Sequence, residues 1–128
     1  MTRNEITDHY NRKVHLIADI AALEKLQTYL DESKRHMSAN PQEKMLIESM
    51  EKEIADLESS IQKRSDELSQ NADTVRAALK IIPDRTSRVA ASLHYCSGLS
   101  WAKVGAIMHM PDATIRKRVS RAMQEVGL

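Results

Sequence analysis

Eleven positions between Ile47 and Ile82 alternate strictly in steps of three and four: Ile47, Met50, Ile54, Leu57, Ile61, Arg64, Leu68, Asn71, Val75, Ala78 and Ile82. That spacing lays one stripe along an α-helix and excludes a strand, where every second residue shares a face. Sustained over about five heptads it is a coiled-coil seam, and a seam needs a second helix to cover it. Arg64 and Asn71 interrupt it. Polar residues at such positions commonly fix register or partner number at a cost in stability.

The covering helix is expected just upstream. Asn4 can cap a helix running to about Met37, with Ile6, Tyr10, Leu16, Ile17, Ile20, Leu23, Leu26, Leu30 and Met37 on its apolar face. His36, Ser38, Ala39, Asn40 and Pro41 form a break, and the second helix starts near Gln42. Two long helices joined by a short turn make an antiparallel hairpin with arms of roughly 50 Å. If the turn centres near residue 39, Ile6 faces the region of Ala72, Leu16 faces Ile61 and Leu30 faces Ile47. Two helices alone bury little surface, so a second copy forming a four-helix bundle, or another protein, would complete the stalk. The plainer alternative is a hairpin that is stable alone and acts as a spacer.

Composition agrees with an all-α chain. Aromatic residues are 3%, Phe is absent, and three Gly and three Pro leave few breaks in 128 residues. Helix seams of Leu, Ile and Met are therefore expected in place of an aromatic core. The expected domains are a two-helix coiled-coil stalk over 1–82, with its turn near 37–41, and a small head over 83–128.

The net charge of +1 hides a division. Residues 1–74 hold 10 Lys+Arg against 15 Asp+Glu, a net of −5; residues 75–128 hold 9 against 3, a net of +6. A basic half suggests a nucleic-acid-facing surface, although Arg and Lys also simply solvate short helices.

The basic half has its own punctuation. Ile81-Ile82-Pro83 ends or kinks the stalk, Asp84 and Thr86 can cap a helix from about Ser87 to Tyr95, and Gly98 suits the left-handed residue that follows. Val89, Leu93 and Tyr95 are its expected apolar contacts, and Leu99 plugs the core. Ser100 is a good N-cap for a helix from Trp101, with Val104, Ile107 and Met108 as its buried stripe. Gly105 marks a close helix crossing. Pro111 stops that helix, and another starts near Asp112. Its apolar residues are Ile115, Val119, Ala122, Met123 and Val126; its other face carries Thr114, Arg116, Lys117, Arg118 and Arg121. This is a helix-turn-helix pattern. Trp101 is expected to pack against the preceding helix, the alternative being a surface position near DNA.

A family resemblance rests on these residues. Arg88, Leu93, Tyr95, Gly98, Leu99, Ser100, Trp101, Val104, Gly105, Ala106 and Met108, followed by Thr114, Ile115, Arg116, Arg118, Arg121 and Ala122, resemble region 4 of sigma-70-type factors. With the helical stretch before it, the chain is similar to small phage-encoded transcription regulators of the ArpU and RinA type. The head likeness covers about residues 85–126. Two positions depart from the pattern: His109 stands where the family usually has Gly, and Pro111 where it usually has Ser or Thr. The resemblance implies DNA binding and transcriptional control; RNA polymerase is a further candidate partner.

Groove geometry then assigns candidate contacts. The second helix would enter the major groove with Ala113, Thr114, Lys117 and Arg116 toward base edges. Arg118, Arg121, Lys103, Ser100 and Arg88 are candidates for phosphate, and Asp112 for the start of the reading helix. A dimer through the stalk would present two heads to paired half-sites. Two other readings are a small-terminase-like DNA-packaging protein and an interaction module that contacts RNA polymerase without DNA.

Enzyme chemistry finds no foothold. The five His are scattered, no Gly-rich phosphate loop exists, and the stalk carboxylates read as a solvated face. The single Cys96 offers no disulfide and no zinc set, and is expected as a small buried residue at a helix end. No cofactor or metal is expected. No signal peptide or membrane-spanning run is apparent, so the cytoplasm is the expected compartment.

Overall fold

The structure is a computed structural model that describes residues 1–36 and 40–128. The fold is all-α: α1 (Arg3–Arg35), α2 (Pro41–Lys80), α3 (Arg85–Ala91), a π-helical turn (Ser92–Cys96), α4 (Trp101–Met108) and α5 (Asp112–Glu125). No strand occurs among the described residues. None of these helices is long and apolar enough to cross a membrane. The expected turn near 37–41 lies partly outside the described residues, as does Met37; α2 begins at Pro41, where a missing N–H costs nothing.

The chain forms two compact units, His15–Asp66 and a second one that joins Met1–Val14 to Glu67–Leu128. The first is the helical hairpin. Its core is Leu30, Ile47 and Ile54, with Leu23, Leu26 and Met50 packed against them, and Leu16 is buried as well. Leu30 and Ile47 thus share a cluster, as the sequence pairing has it. Polar pairs are offset from that pairing. A turn centred on residue 39 sets Gln27 opposite Glu51 and Lys34 opposite Lys44, whereas Gln27 meets Glu58 at 2.9 Å and Lys34 meets Glu51 at 3.3 Å. Side chains lean toward the N-terminus of their own helix, so in an antiparallel pair long side chains meet across such an offset.

Along α2 the seam is as spaced. All eleven of its positions are buried or half-buried. The two polar interruptions each find a partner on α1: Arg64 pairs with Asp19, and the Asn71 amide lies 3.4 Å from His9 Nδ1. On α1 the stripe differs from expectation. Ile17 and Ile20 are 44% and 39% exposed, while His9, Lys13 and Asp19 occupy inward positions. Ile17 sits about 100° around the helix from the buried Leu16, which takes it off a stripe only one or two side chains wide.

The second unit has one core drawn from every helix. Ile6 of α1, Val75 and Leu79 of α2 and Ile82 just beyond it join Ala90, Ala91, Val104, Ile115, Val119 and Met123. The expected boundary at 82/83 therefore differs from the division into units, which falls at 14/15 and 66/67. The physical reason is size: three short helices cannot enclose a core alone, and the adjoining segments of α1 and α2 supply its missing wall.

Candidate nucleic-acid interface

The segments around α5 are built from local signals. Asp84 caps α3, accepting from the Ser87 backbone N–H at 3.2 Å and from the Ser87 hydroxyl at 2.5 Å. α3 starts at Arg85, so Thr86 lies inside it. The helix expected to run to Tyr95 stays α-helical only to Ala91, then widens, with the Ser97 N–H reaching back to Ser92 O at 3.2 Å. Such a widened turn re-aims side chains. The turn carries His94 into the interior at 5% exposure, while Val89, upstream in α3, is 40% exposed. Gly98 closes the segment at φ 75°, the left-handed conformation that favours glycine.

Ser100 caps α4, its Oγ accepting from the Lys103 N–H at 3.3 Å. Val104 and Gly105 are buried and Met108 half-buried, whereas Ile107, expected on the inner stripe, is 53% exposed. A Cβ on Gly105 would lie 2.6 Å from Met110 O and 3.2 Å from Asp112 N, so this crossing is closed to any side chain. His109 ends α4 in the left-handed conformation at φ 55°, where Gly would be unstrained. Pro111 precedes α5 without a side-chain cap, and the Asp112 carboxylate accepts from the Ala113 N–H at 2.9 Å. α5 starts at Asp112, as expected.

α5 has three faces. Ile115, Val119, Ala122 and Met123 are buried. Ala113, Thr114, Lys117 and Arg121 are exposed, and at 100° per residue they share the side opposite the core. Arg116 and Arg118 lie on the two flanks between.

The candidate cations separate into tied and untied groups. Arg118 grips Asp84 with two nitrogens, Nε at 3.0 Å and Nη2 at 3.3 Å. The Ser87 hydroxyl and Arg118 together hold the Asp84 carboxyl well below the usual carboxylate range, at about 2. Arg88 donates from Nη1 to Ile82 O at 3.0 Å. Arg118 and Arg88, both candidates for phosphate, thus carry internal bonds that hold α3 to α5 and to the end of α2. Lys103, Arg116, Lys117 and Arg121 have no hydrogen bond or ion pair from their side chains among the described residues. A groove of about 470 Å³ runs between Asp84 and Ser87 on one side and Thr114, Lys117 and Arg121 on the other.

The sequence reading missed an aromatic cluster. The His94 ring is stacked between Tyr10 and Trp101, with centroid separations of 4.0 and 3.8 Å, and Tyr95 stands edge-on to all three. His94 Nδ1 lies 2.7 Å from Leu99 O, which fixes that nitrogen as the donor. Burial drives the His94 pKa below its ordinary value, and the bond to Leu99 opposes this in part. Trp101 packs, as expected, though on His94. Three of the four aromatic residues gather here, a concentration that in so aromatic-poor a chain was the one available signal. Cys96 is half-buried at the end of the widened turn, and burial raises its pKa. No group of three or more potential metal ligands occurs among the described residues.

What fold and site define is an all-α chain, a helical hairpin plus a small head with one unpaired cationic face. Comparison with known proteins returns no matching family model, no matching curated protein and no matching solved structure.

Proposed function

We propose that this protein binds double-stranded DNA as a transcriptional regulator, with α4 and α5 as a helix-turn-helix and α5 in the major groove. The observation that carries the reading is the outer face of α5. Ala113, Thr114, Lys117 and Arg121 are exposed on one side of a helix whose inner side is fully committed to the core. Lys117 and Arg121 have no internal partner, as a surface that meets phosphate and base edges requires. Lys103 adds a cation on the preceding helix, and Ser100 lies one turn from it. The groove beside Asp84 suits a phosphate strand only along its Lys117 and Arg121 edge, because Asp84 is an anion.

The hairpin serves self-association in this reading. Ile17, Ile20, Tyr29, Met45 and Leu46 are exposed on a unit with a thin core. A homodimer would present two heads to paired half-sites.

The test is duplex binding across a salt series, with Lys117→Ala/Arg121→Ala beside the parent chain. Each released phosphate contact contributes about 0.9 to the slope of log affinity against log salt. The double variant is expected to lose about 2 from the slope while keeping its helical circular dichroism. An absence of binding by the parent chain even at low salt would overturn the reading and turn attention to a protein partner such as RNA polymerase.

A further inference from the structure

The flank of α5 opposite Arg118 borders a second cavity, of about 400 Å³. Its wall is the aromatic cluster: Tyr10, His94, Tyr95 and Trp101 all line it. Its rim carries Arg3 and Arg116, and no carboxylate is among its nine lining residues. Arg3 is held in place by three bonds, from Nε to Leu128 O at 2.8 Å, from Nη1 to Ser120 Oγ at 3.0 Å and from Nη2 to Ser120 O at 2.9 Å. These bonds fix the guanidinium at the cavity rim. Arg116 has no polar partner among the described residues. The volume lies within the range of small-ligand pockets, and the lining combines apolar ring surface with a few fixed polar groups.

We propose that this cavity binds a planar organic anion, an aromatic or heteroaromatic ring carrying a carboxylate or phosphate. The ring lies against the aromatic wall, where stacking and burial act together. The anion meets Arg116, whose planar fork matches a carboxylate or phosphate with two parallel N–H donors. Arg3 adds a guanidinium at a fixed position on the rim. A neutral ring would leave Arg116 uncompensated, and an inorganic anion would leave the aromatic wall uncovered.

Occupancy bears on α5 directly, because Arg116 is also one of the untied cations of that helix. An anion that holds Arg116 withdraws it from DNA. This coupling rests on the DNA-binding reading; the binding step does not.

The experiment uses the full chain labelled with ¹⁵N. Adenosine monophosphate and benzoate are titrated against their uncharged counterparts, adenosine and benzamide, with the indole N–H of Trp101 as reporter. It is the only Trp in the chain. Saturable shifts are expected with the two anions, and the uncharged counterparts are expected to bind at least about tenfold more weakly, the ratio that one charge-assisted contact supplies. The relative affinity of the monophosphate and the benzoate distinguishes a nucleotide from a simple aromatic acid. Arg116→Gln, an exposed substitution that leaves the core intact, is expected to weaken both anions at least about tenfold. Lys117→Ala/Arg121→Ala is expected to keep the anion affinity while its DNA binding weakens and loses salt dependence. Equal binding of charged and uncharged rings would overturn the proposal. So would a lack of any saturable shift up to about 10 mM, or loss of anion binding in Lys117→Ala/Arg121→Ala with retention in Arg116→Gln.

Discussion

Substituting Gly105 by Ala tests the geometry on which the placement of α5 depends. The added Cβ would stand 2.6 Å from Met110 O, against ordinary contact at 3.4 Å or more. The obstacle is backbone, and the Met110 N–H returns to Gly105 O at 2.9 Å, so the turn is pinned to the residue that pushes it. Relief requires a displacement of about 0.8 Å of hydrogen-bonded backbone, in the upper part of the overpacking range, about 2–3 kcal/mol. Ala is favoured over Gly inside a helix by about 1 kcal/mol, which offsets part of this. The net expectation is a loss of about 1–2 kcal/mol. For a unit of this size each kcal/mol moves the midpoint by about 4–8 °C, so thermal melts followed through Trp101 are expected to fall by roughly 5–15 °C. His109→Gly is the companion. It relieves a left-handed residue at φ 55° and is expected to raise the midpoint by a few degrees, about 0.5–1 kcal/mol. A Gly105→Ala melt equal to or above that of the parent chain would refute the close crossing, because the helix-propensity gain would then act unopposed.

Two further outcomes follow from the same structure. Burial lowers the pKa of both His94 and His9, so the unfolded chain takes up protons first as the pH drops. Stability from these groups is complete above the unfolded value near 6.5 and is lost as the pH falls toward their folded values; melting midpoints at pH 7.5 and 5.5 are expected to differ, and His94→Phe is expected to shrink the difference. An unchanged difference in that variant would remove His94 from the account. The exposed Ile17, Ile20 and Leu46 are expected to lie in a self-association surface, which sedimentation equilibrium checks; a monomer at high concentration removes the dimer.

How much was legible follows from the range of each signal. The seam from Ile47 to Ile82 is a local repeat, and it is present in the structure at every position. Gly98, Ser100, Gly105 and the start of α5 at Asp112 were equally readable, because caps and close crossings demand particular residue types within a few positions. The inward face of α1 was not readable. His9 and Asp19 face inward because Asn71 and Arg64 sit across from them, and hydrophobicity alone ranks Ile17 and Ile20 above both. The division into units was hidden for a similar reason, since Ile6 meets its core neighbours across some seventy residues of intervening chain. The internal bonds of Arg88 and Arg118 were not readable, because a guanidinium suits a phosphate, a carboxylate and a carbonyl equally well by type. The tie from Arg118 to Asp84 appears only when the helices are assembled. The stack of Tyr10 on His94 likewise joins residues that no spacing rule relates.

The discontinuous build of the head unit sets an order of events as the chain leaves the ribosome. The segment Met1–Val14 emerges well before α5, yet Arg3 bonds to Ser120, 117 positions later, so its docking waits for α5. The hairpin His15–Asp66 is a continuous segment and can form before that. Its formation brings the strands of chain on either side of it together in advance. Closing a gap across 52 residues costs on the order of 2 kcal/mol more in chain entropy than closing a turn of a few residues. The hairpin therefore acts as a folding clamp, converting the slow long-range closure of the head into a short one, and its removal is expected to slow the folding of the head even where the folded head itself is unchanged.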